Sequence, residues 1–253
     1  MITGRAALRI GSLLALPWIA ASGSAQTQPV PAPAAESPRP VARPAPVYKP
    51  PLLGAPATRV GGASRGGPDG DLALNVLTPE TTGLTSRAQP TLYWHSSKGL
   101  ARPLEFTLND PHSIKPLVEM KVNATQPGIH ALRLAYPLKP GVEYQWAIAA
   151  IADPDQRASD TIASGAIKRV EPSPALTAQL QRASQREQPF LYAEHGFWYD
   201  ALAVLSEQLD AHPADQRLRE QRAALLEQVG LNVVARSDQP LFAPSTEPAH
   251  VAD

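Results

Sequence analysis

The chain contains no cysteine, which excludes disulfides, thiolate-bound metals, a cysteine nucleophile and a lipidated N-terminal cysteine after export. It also carries no net charge, with Lys+Arg and Asp+Glu at 23 each. Binding to nucleic acid or an anionic membrane calls for a basic excess, and a solvating tail for an acidic one; neither is present. Aromatics are scarce, at 6% of 253 residues. Proline is not: 28 prolines and 16 glycines assign much of the chain to turn and linker.

The N-terminus has the three parts of a secretory signal. Arg5 and Arg9 are a positive start, and Ile10 to Ala21 is an apolar stretch shorter than the ~20 residues a membrane span needs. Gly23 and Ala25 stand at the −3 and −1 positions of a cleavage site before Gln26. Residues 1–25 are therefore expected to be a signal peptide, leaving a periplasmic or secreted chain without a membrane span. Residues 26–70 are rich in Pro and Gly. Each proline removes a backbone donor and biases its predecessor toward extended geometry, so this stretch is expected to be a semi-rigid spacer.

Between residues 71 and 171 the period is two. Seven strands are expected, at 72–77, 91–95, 104–109, 117–123, 129–134, 143–151 and 161–170. Tyr144, Trp146 and Ile148 alternate with Glu143, Gln145 and Ala147, the clearest case. With turns at Pro127-Gly128 and Pro140-Gly141, the pattern predicts an antiparallel β-sandwich of immunoglobulin or fibronectin type, with Trp94 and Trp146 in its core. After Pro172 the period becomes helical. Ser173-Pro174 opens a first helix to about Glu187, and a second runs from about Phe190 to Ala211 with Gly196 as a possible break. Asp215 caps a third, ended by Gly230. The fold class expected is mainly β plus α: the sandwich, then a helical hairpin at 172–235 packed on it, then a disordered tail at 236–253.

From Gly61 to Leu231 the chain resembles the domain of unknown function 928 family, a group of uncharacterised exported bacterial proteins. The residues that carry the resemblance begin with Gly62-Ala63-Ser64-Arg65-Gly66, Leu77-Thr78-Pro79, Leu84-Thr85 and Gln89-Pro90-Thr91. Tyr144-Gln145-Trp146, Arg157-Ala158-Ser159-Asp160 and Gly165-Ala166-Ile167-Lys168-Arg169 follow, and above all the run from Tyr192 to Leu202 containing Trp198-Tyr199-Asp200-Ala201. The resemblance implies an architecture and no reaction. The second helix also looks like the latter half of a tetratricopeptide unit, through Tyr192, Ala201, Leu205 and Pro213, although Gln185 and Pro189 depart from that pattern. A single such unit cannot bury its own face and needs neighbours.

Gly62-Ala63-Ser64-Arg65-Gly66 fits the letters of a nucleophile elbow, but that chemistry needs a strand before the serine and a helix after it. Linker on one side and Gly67-Pro68-Asp69-Gly70 on the other favour a loop, with Arg59 and Arg65 as candidate anion contacts. None of the six histidines shares a zinc-pair spacing with another, so no metal is expected. Asp153, Asp155 and Asp160 lack the Gly and Glu of a calcium loop, and Arg157 among them reads as their neutraliser. Phe197, Trp198 and Tyr199 are consecutive, and one helical stripe cannot bury all three. At least one should fill the sheet–helix interface or offer an exposed anchor to a protein or glycan.

These readings favour an exported, non-enzymatic accessory or binding protein of the bacterial envelope, without a cofactor. The candidate binding residues are Arg157, Asp160, Arg169, Tyr192, Glu194, His195, Trp198, Tyr199 and Asp200, and the candidate partner is an envelope protein or glycan. The alternative is an envelope ester or glycan hydrolase using Ser64 or the Glu194, His195 and Asp200 cluster.

Overall fold

The computed structural model describes residues 45–51, 59–63, 71–153 and 155–238. The expected signal peptide, most of the proline tract, Ser64 and Arg65 lie outside the described residues. The described strands are β1 (Gly62–Ala63), β2 (Ala73–Val76), β3 (Gly83–Thr85), β4 (Thr91–Ser96), β5 (Leu104–Asn109), β6 (Val118–Val122), β7 (Gly128–Arg133), β8 (Glu143–Ala150) and β9 (Thr161–Arg169). The α-helices are α1 (Pro174–Arg182), α2 (Gln188–Glu194), α3 (Trp198–Ala211), α4 (Gln216–Glu227) and α5 (Asn232–Asp238).

The chain is thus mixed α and β, with two sheets. One is four-stranded in the order β1-β2-β4-β7 and antiparallel throughout. The other is five-stranded in the order β3-β9-β8-β5-β6. Period-two sequence makes these strands: in β5, Leu104, Phe106 and Leu108 are buried while Glu105, Thr107 and Asn109 are not. All seven expected strands form. The purely antiparallel expectation needs correction, because β3 runs parallel to β9 with Gly83 opposite Ile167 and Thr85 opposite Arg169. Trp94 and Trp146 are both buried in one core cluster that draws on both sheets and on α3, α4 and α5.

The helical segment is more divided than expected, since five helices are described where three were expected. Ser173 caps α1 by accepting from the Leu176 N–H, but the helix stops five residues early. The cause is a second capping device: the Glu187 carboxylate accepts from the Ser184 N–H at 3.0 Å and from its hydroxyl at 3.1 Å, which starts a new turn leading into α2. Gly196, at φ +80°, separates α2 from α3. The expected disordered tail is corrected at its start, where Arg236, Ser237 and Asp238 belong to α5. Arg222 of α4 holds Asp238 through Nε at 2.7 Å and Nη2 at 2.5 Å, and both side chains are largely buried.

The largest departure is in the proline tract. Residues 45–51 were expected to be free spacer, yet they dock on the helices. The side-chain amide of Gln228, the residue that caps the end of α4, reads both sides of the strap: its Oε1 accepts from the Tyr48 N–H and its Nε2 donates to the Pro46 carbonyl, each at 2.8 Å. The Lys49 N–H donates to the Ala193 carbonyl at 3.0 Å, and the Tyr48 ring meets Trp198 edge-on at 5.0 Å between centroids. Gly196 makes room, because a Cβ there would sit 3.0 Å from the Lys49 carbonyl oxygen and 3.1 Å from Pro51.

Gln228→Ala removes two strap hydrogen bonds, each worth about 1 kcal/mol net. Opening of the strap should rise roughly tenfold or more, and proteolysis of an opened segment follows its population. Chymotryptic cleavage after Tyr48 is therefore expected to accelerate about tenfold with little change in the main unfolding transition. An unchanged cleavage rate would mean that Gln228 does not hold the strap.

Candidate functional site

The first turn of α3 carries the Trp198-Tyr199-Asp200 run into the interior, where all three side chains are wholly buried. Each meets a different surface. The Trp198 Nε1–H donates to the Leu77 carbonyl at 2.9 Å, just past β2. The Tyr199 hydroxyl accepts from the Trp146 Nε1–H of β8 at 2.9 Å and lies 3.0 Å from both the Thr78 hydroxyl and the Ala166 carbonyl of β9. A phenol has one proton to give. Donating it to Ala166 leaves its oxygen free to accept from both Trp146 and Thr78. One hydroxyl thus ties α3 to two strands of the five-stranded sheet and to the segment just past β2, and burial keeps the phenol well above its ordinary pKa. Gly83 permits this approach, since a Cβ there would stand 2.6 Å from the Tyr199 ring.

Asp200 turns toward β3. Its carboxylate accepts from the Ser86 N–H at 2.7 Å and from the Thr85 hydroxyl at 3.3 Å, and the Arg87 Nε lies 3.4 Å away. Burial pushes its pKa up to about 6, with the Ser86 N–H and the Arg87 charge opposing the shift. Arg87 continues to Glu207 of α3 at 2.8 Å. Burial works against the Arg87 charge, but the Glu207 hydrogen bond and the two carboxylates hold its pKa above the usual value. Tyr192, half-buried on α2, joins through the Ser86 side chain and meets Phe197 edge-on at 6.3 Å. A carboxyl near pKa 6 has the proton affinity of a general acid, but with no exposed surface Asp200 meets no substrate from solvent.

The remaining candidate residues do not join this cluster. Arg157 is exposed in a 3₁₀ turn and pairs with Glu105 at 2.9 Å and Asp160 at 2.6 Å; Asp160 also accepts from the Ala152 N–H at 3.2 Å. Arg169 closes the opposite end of β9 on the Leu138 carbonyl at 3.2 Å and Glu171 at 2.7 Å. Eight residue steps of strand, about 26 Å, separate the two ends. Glu194 faces solvent on α2, 2.9 Å from Lys49, which lowers its pKa through that hydrogen bond. His195 is exposed at the end of α2. The grouping of Glu194 and His195 with Asp200 is corrected accordingly: two are outside, and the third is sealed against Ser86 and Arg87. The exposed-anchor reading of Trp198 and Tyr199 is corrected too, because the strap, both sheets and the helices enclose them. Arg59, read as an anion contact, instead donates Nη1 to the Thr78 and Val229 carbonyls at 2.7 and 2.8 Å.

Among the described residues, one open surface lies away from every candidate motif except Glu194. Gln179, Arg182 and Ala183 of α1 and the turn after it, with Glu187, Phe190, Leu191 and Glu194 of α2, line a hollow of about 450 Å³. A second, of about 290 Å³, adjoins it, with Phe190 and Glu194 in common and Ala45, Val47 and Lys49 of the strap on its other side. Gln228 and Phe190 are single residues without a motif around them. Nothing in local period could have singled them out.

A buried polar knot that locks α3 onto the five-stranded sheet, beside an open groove lined by helix and extended chain, belongs to a mixed α/β scaffold. The chain belongs to the family described as Domain of Unknown Function (DUF928), whose model matches residues 60–240. No curated protein matches the chain.

Proposed function

We propose that the chain is an exported, non-enzymatic accessory protein of the bacterial cell envelope that holds an extended polypeptide segment against its helical layer. In this reading the two sheets form an immunoglobulin-like sandwich, and α3 and α4 act as the hairpin laid on it. The observation that carries the proposal is the docked strap. The layer already binds one extended, proline-flanked segment by its main chain, through the Gln228 amide and the Ala193 carbonyl. Main-chain hydrogen bonds plus shallow side-chain hollows are the means by which proteins hold extended peptides. The adjoining hollows around Phe190 continue that path over a half-buried aromatic, a residue type suited to anchoring a partner. Export is supported by Arg5, Arg9 and the apolar stretch that follows. Among the described residues no helix is long and apolar enough to cross a membrane.

The test is a photo-crosslinking residue at position 190 in intact cells, with exposed position 217 on α4 as control. A discrete adduct to an envelope protein from position 190 alone supports the reading. No adduct, or the same adduct from both positions, contradicts it.

A further inference from the structure

β6 is an edge strand: β5 pairs with one side of it, and no described segment pairs with the other. Open edges invite strand addition, and proteins usually blunt them with charge. The charges here are arranged in a way that admits one partner. The strand reads Val118-Glu119-Met120-Lys121-Val122. About a two-fold axis through Met120, an antiparallel second copy sets Glu119 opposite Lys121, Lys121 opposite Glu119, and each terminal valine opposite the other. Opposite charges directly across strands stabilise a pair and like charges destabilise it.

The two faces also match. Phe106 of β5 stands opposite Met120 and Thr107 opposite Glu119, so Met120 shares the apolar face and the charges share the other. Met120 is 42% exposed, a large apolar side chain left partly in water at the centre of the edge. The register works whichever alternate set of β6 backbone groups points outward, because the axis passes through a residue. The other sheet's open edge, β7, has no acid to set against Arg133 and has α5 packed beside it.

We propose that β6 is a homotypic docking edge, through which two copies join their five-stranded sheets into one ten-stranded sheet. A single five-residue strand pair is a small interface, at the low end of specific contacts, so the dimer is weak and concentration-dependent.

The absence of cysteine makes the test direct. Met120→Cys in the mature full-length chain brings two sulfurs across the axis, where opposed Cα atoms at about 4.5–5.5 Å suit a disulfide. Under mild oxidation it should form a covalent dimer, and Val233→Cys, exposed on α5, should not. In sedimentation velocity the unmodified chain should show a monomer–dimer equilibrium. Lys121→Glu should abolish it, and the double variant Glu119→Lys/Lys121→Glu should restore it, with circular dichroism reporting that both variants fold. A monomer at every concentration would overturn the proposal. So would equal crosslinking from positions 120 and 233, or failure of the double variant to recover the dimer.

Discussion

Tyr199→Phe is expected to lower the stability of the chain by about 3 kcal/mol, with little change in side-chain volume. The substitution removes one oxygen that serves three groups: the Trp146 Nε1–H, the Thr78 hydroxyl and the Ala166 carbonyl. All three lie in the buried core, where water cannot replace the lost partner. Each buried polar group left unpaired costs about 1–3 kcal/mol. For a folded region of this size, about 1 kcal/mol moves the midpoint by roughly 2–4 °C, so thermal unfolding should fall by about 10 °C. The same substitution at Tyr136, which is only partly buried at the margin of the core, should move it by less than about 2 °C. Equal shifts at the two positions would remove Tyr199 from its central place.

Asp200 makes the second large prediction, and its sign is unusual. Its folded pKa is raised from 3.8 to about 6 by burial, so between those values the folded state holds a proton that the unfolded state has released. Stability contributed by this group is therefore present below about pH 4 and lost as pH rises through 6. The loss is about 3 kcal/mol at 1.36 kcal/mol per pKa unit. Asp200→Asn cannot ionise. It offers Arg87 no anionic partner at any pH, and its stability relative to the unmodified chain should improve by about 2 kcal/mol between pH 4 and pH 7. Urea unfolding of both forms at those two values measures the difference directly. A constant gap would mean that the carboxyl ionises as readily inside the protein as outside. Asp200→Ala should be the costliest change, because it leaves the Ser86 N–H and the Arg87 charge without their acceptor.

The strands that sequence reading recovered are those long enough to show alternation. β8 and β5 display their buried faces in the order of residue types alone. β3 could not be read this way, because its three residues are all buried and its partner is β9, reached through a parallel pairing that depends on the assembled sheet. β1 is two residues of a glycine patch and exists only because β2 is there to receive it. The break between α1 and α2 was legible in Ser184-x-x-Glu187 and was passed over. α5 was not: after Gly230 only seven residues are helical, and what holds them, Val234 and Ala235 in the core, Ser237 on His95 and the Asp238–Arg222 pair, exists only in the assembled fold.

The proline tract misled for a definite reason. Prolines lack donors, so composition suggested a chain unable to bond. By the same token residues 46–50 have few donors to satisfy, and Tyr48 and Lys49 find theirs in Gln228 and Ala193. The Phe197–Tyr199 run misled in the opposite direction. A helix with one partner surface buries one stripe, but the first turn of α3 has the strap on one side and both sheets on the others. The most recognisable segment of the chain is accordingly its interior knot, and the open hollows around Phe190 are lined by residues with no motif.

The measurement that bears most directly on the knot is a double-mutant cycle between Thr78→Val and Tyr199→Phe, read by denaturant unfolding. The hydroxyls lie 3.0 Å apart in a buried site; once the Tyr199 hydroxyl is gone, removing the Thr78 hydroxyl should cost little, because its partner has already left. The combined loss should then fall short of the sum of the single losses by about 1–2 kcal/mol, within the range for residues in one hydrogen-bond network. Losses that add to within ~0.3 kcal/mol would show that the two groups act independently and that no such knot joins α3 to the sheets.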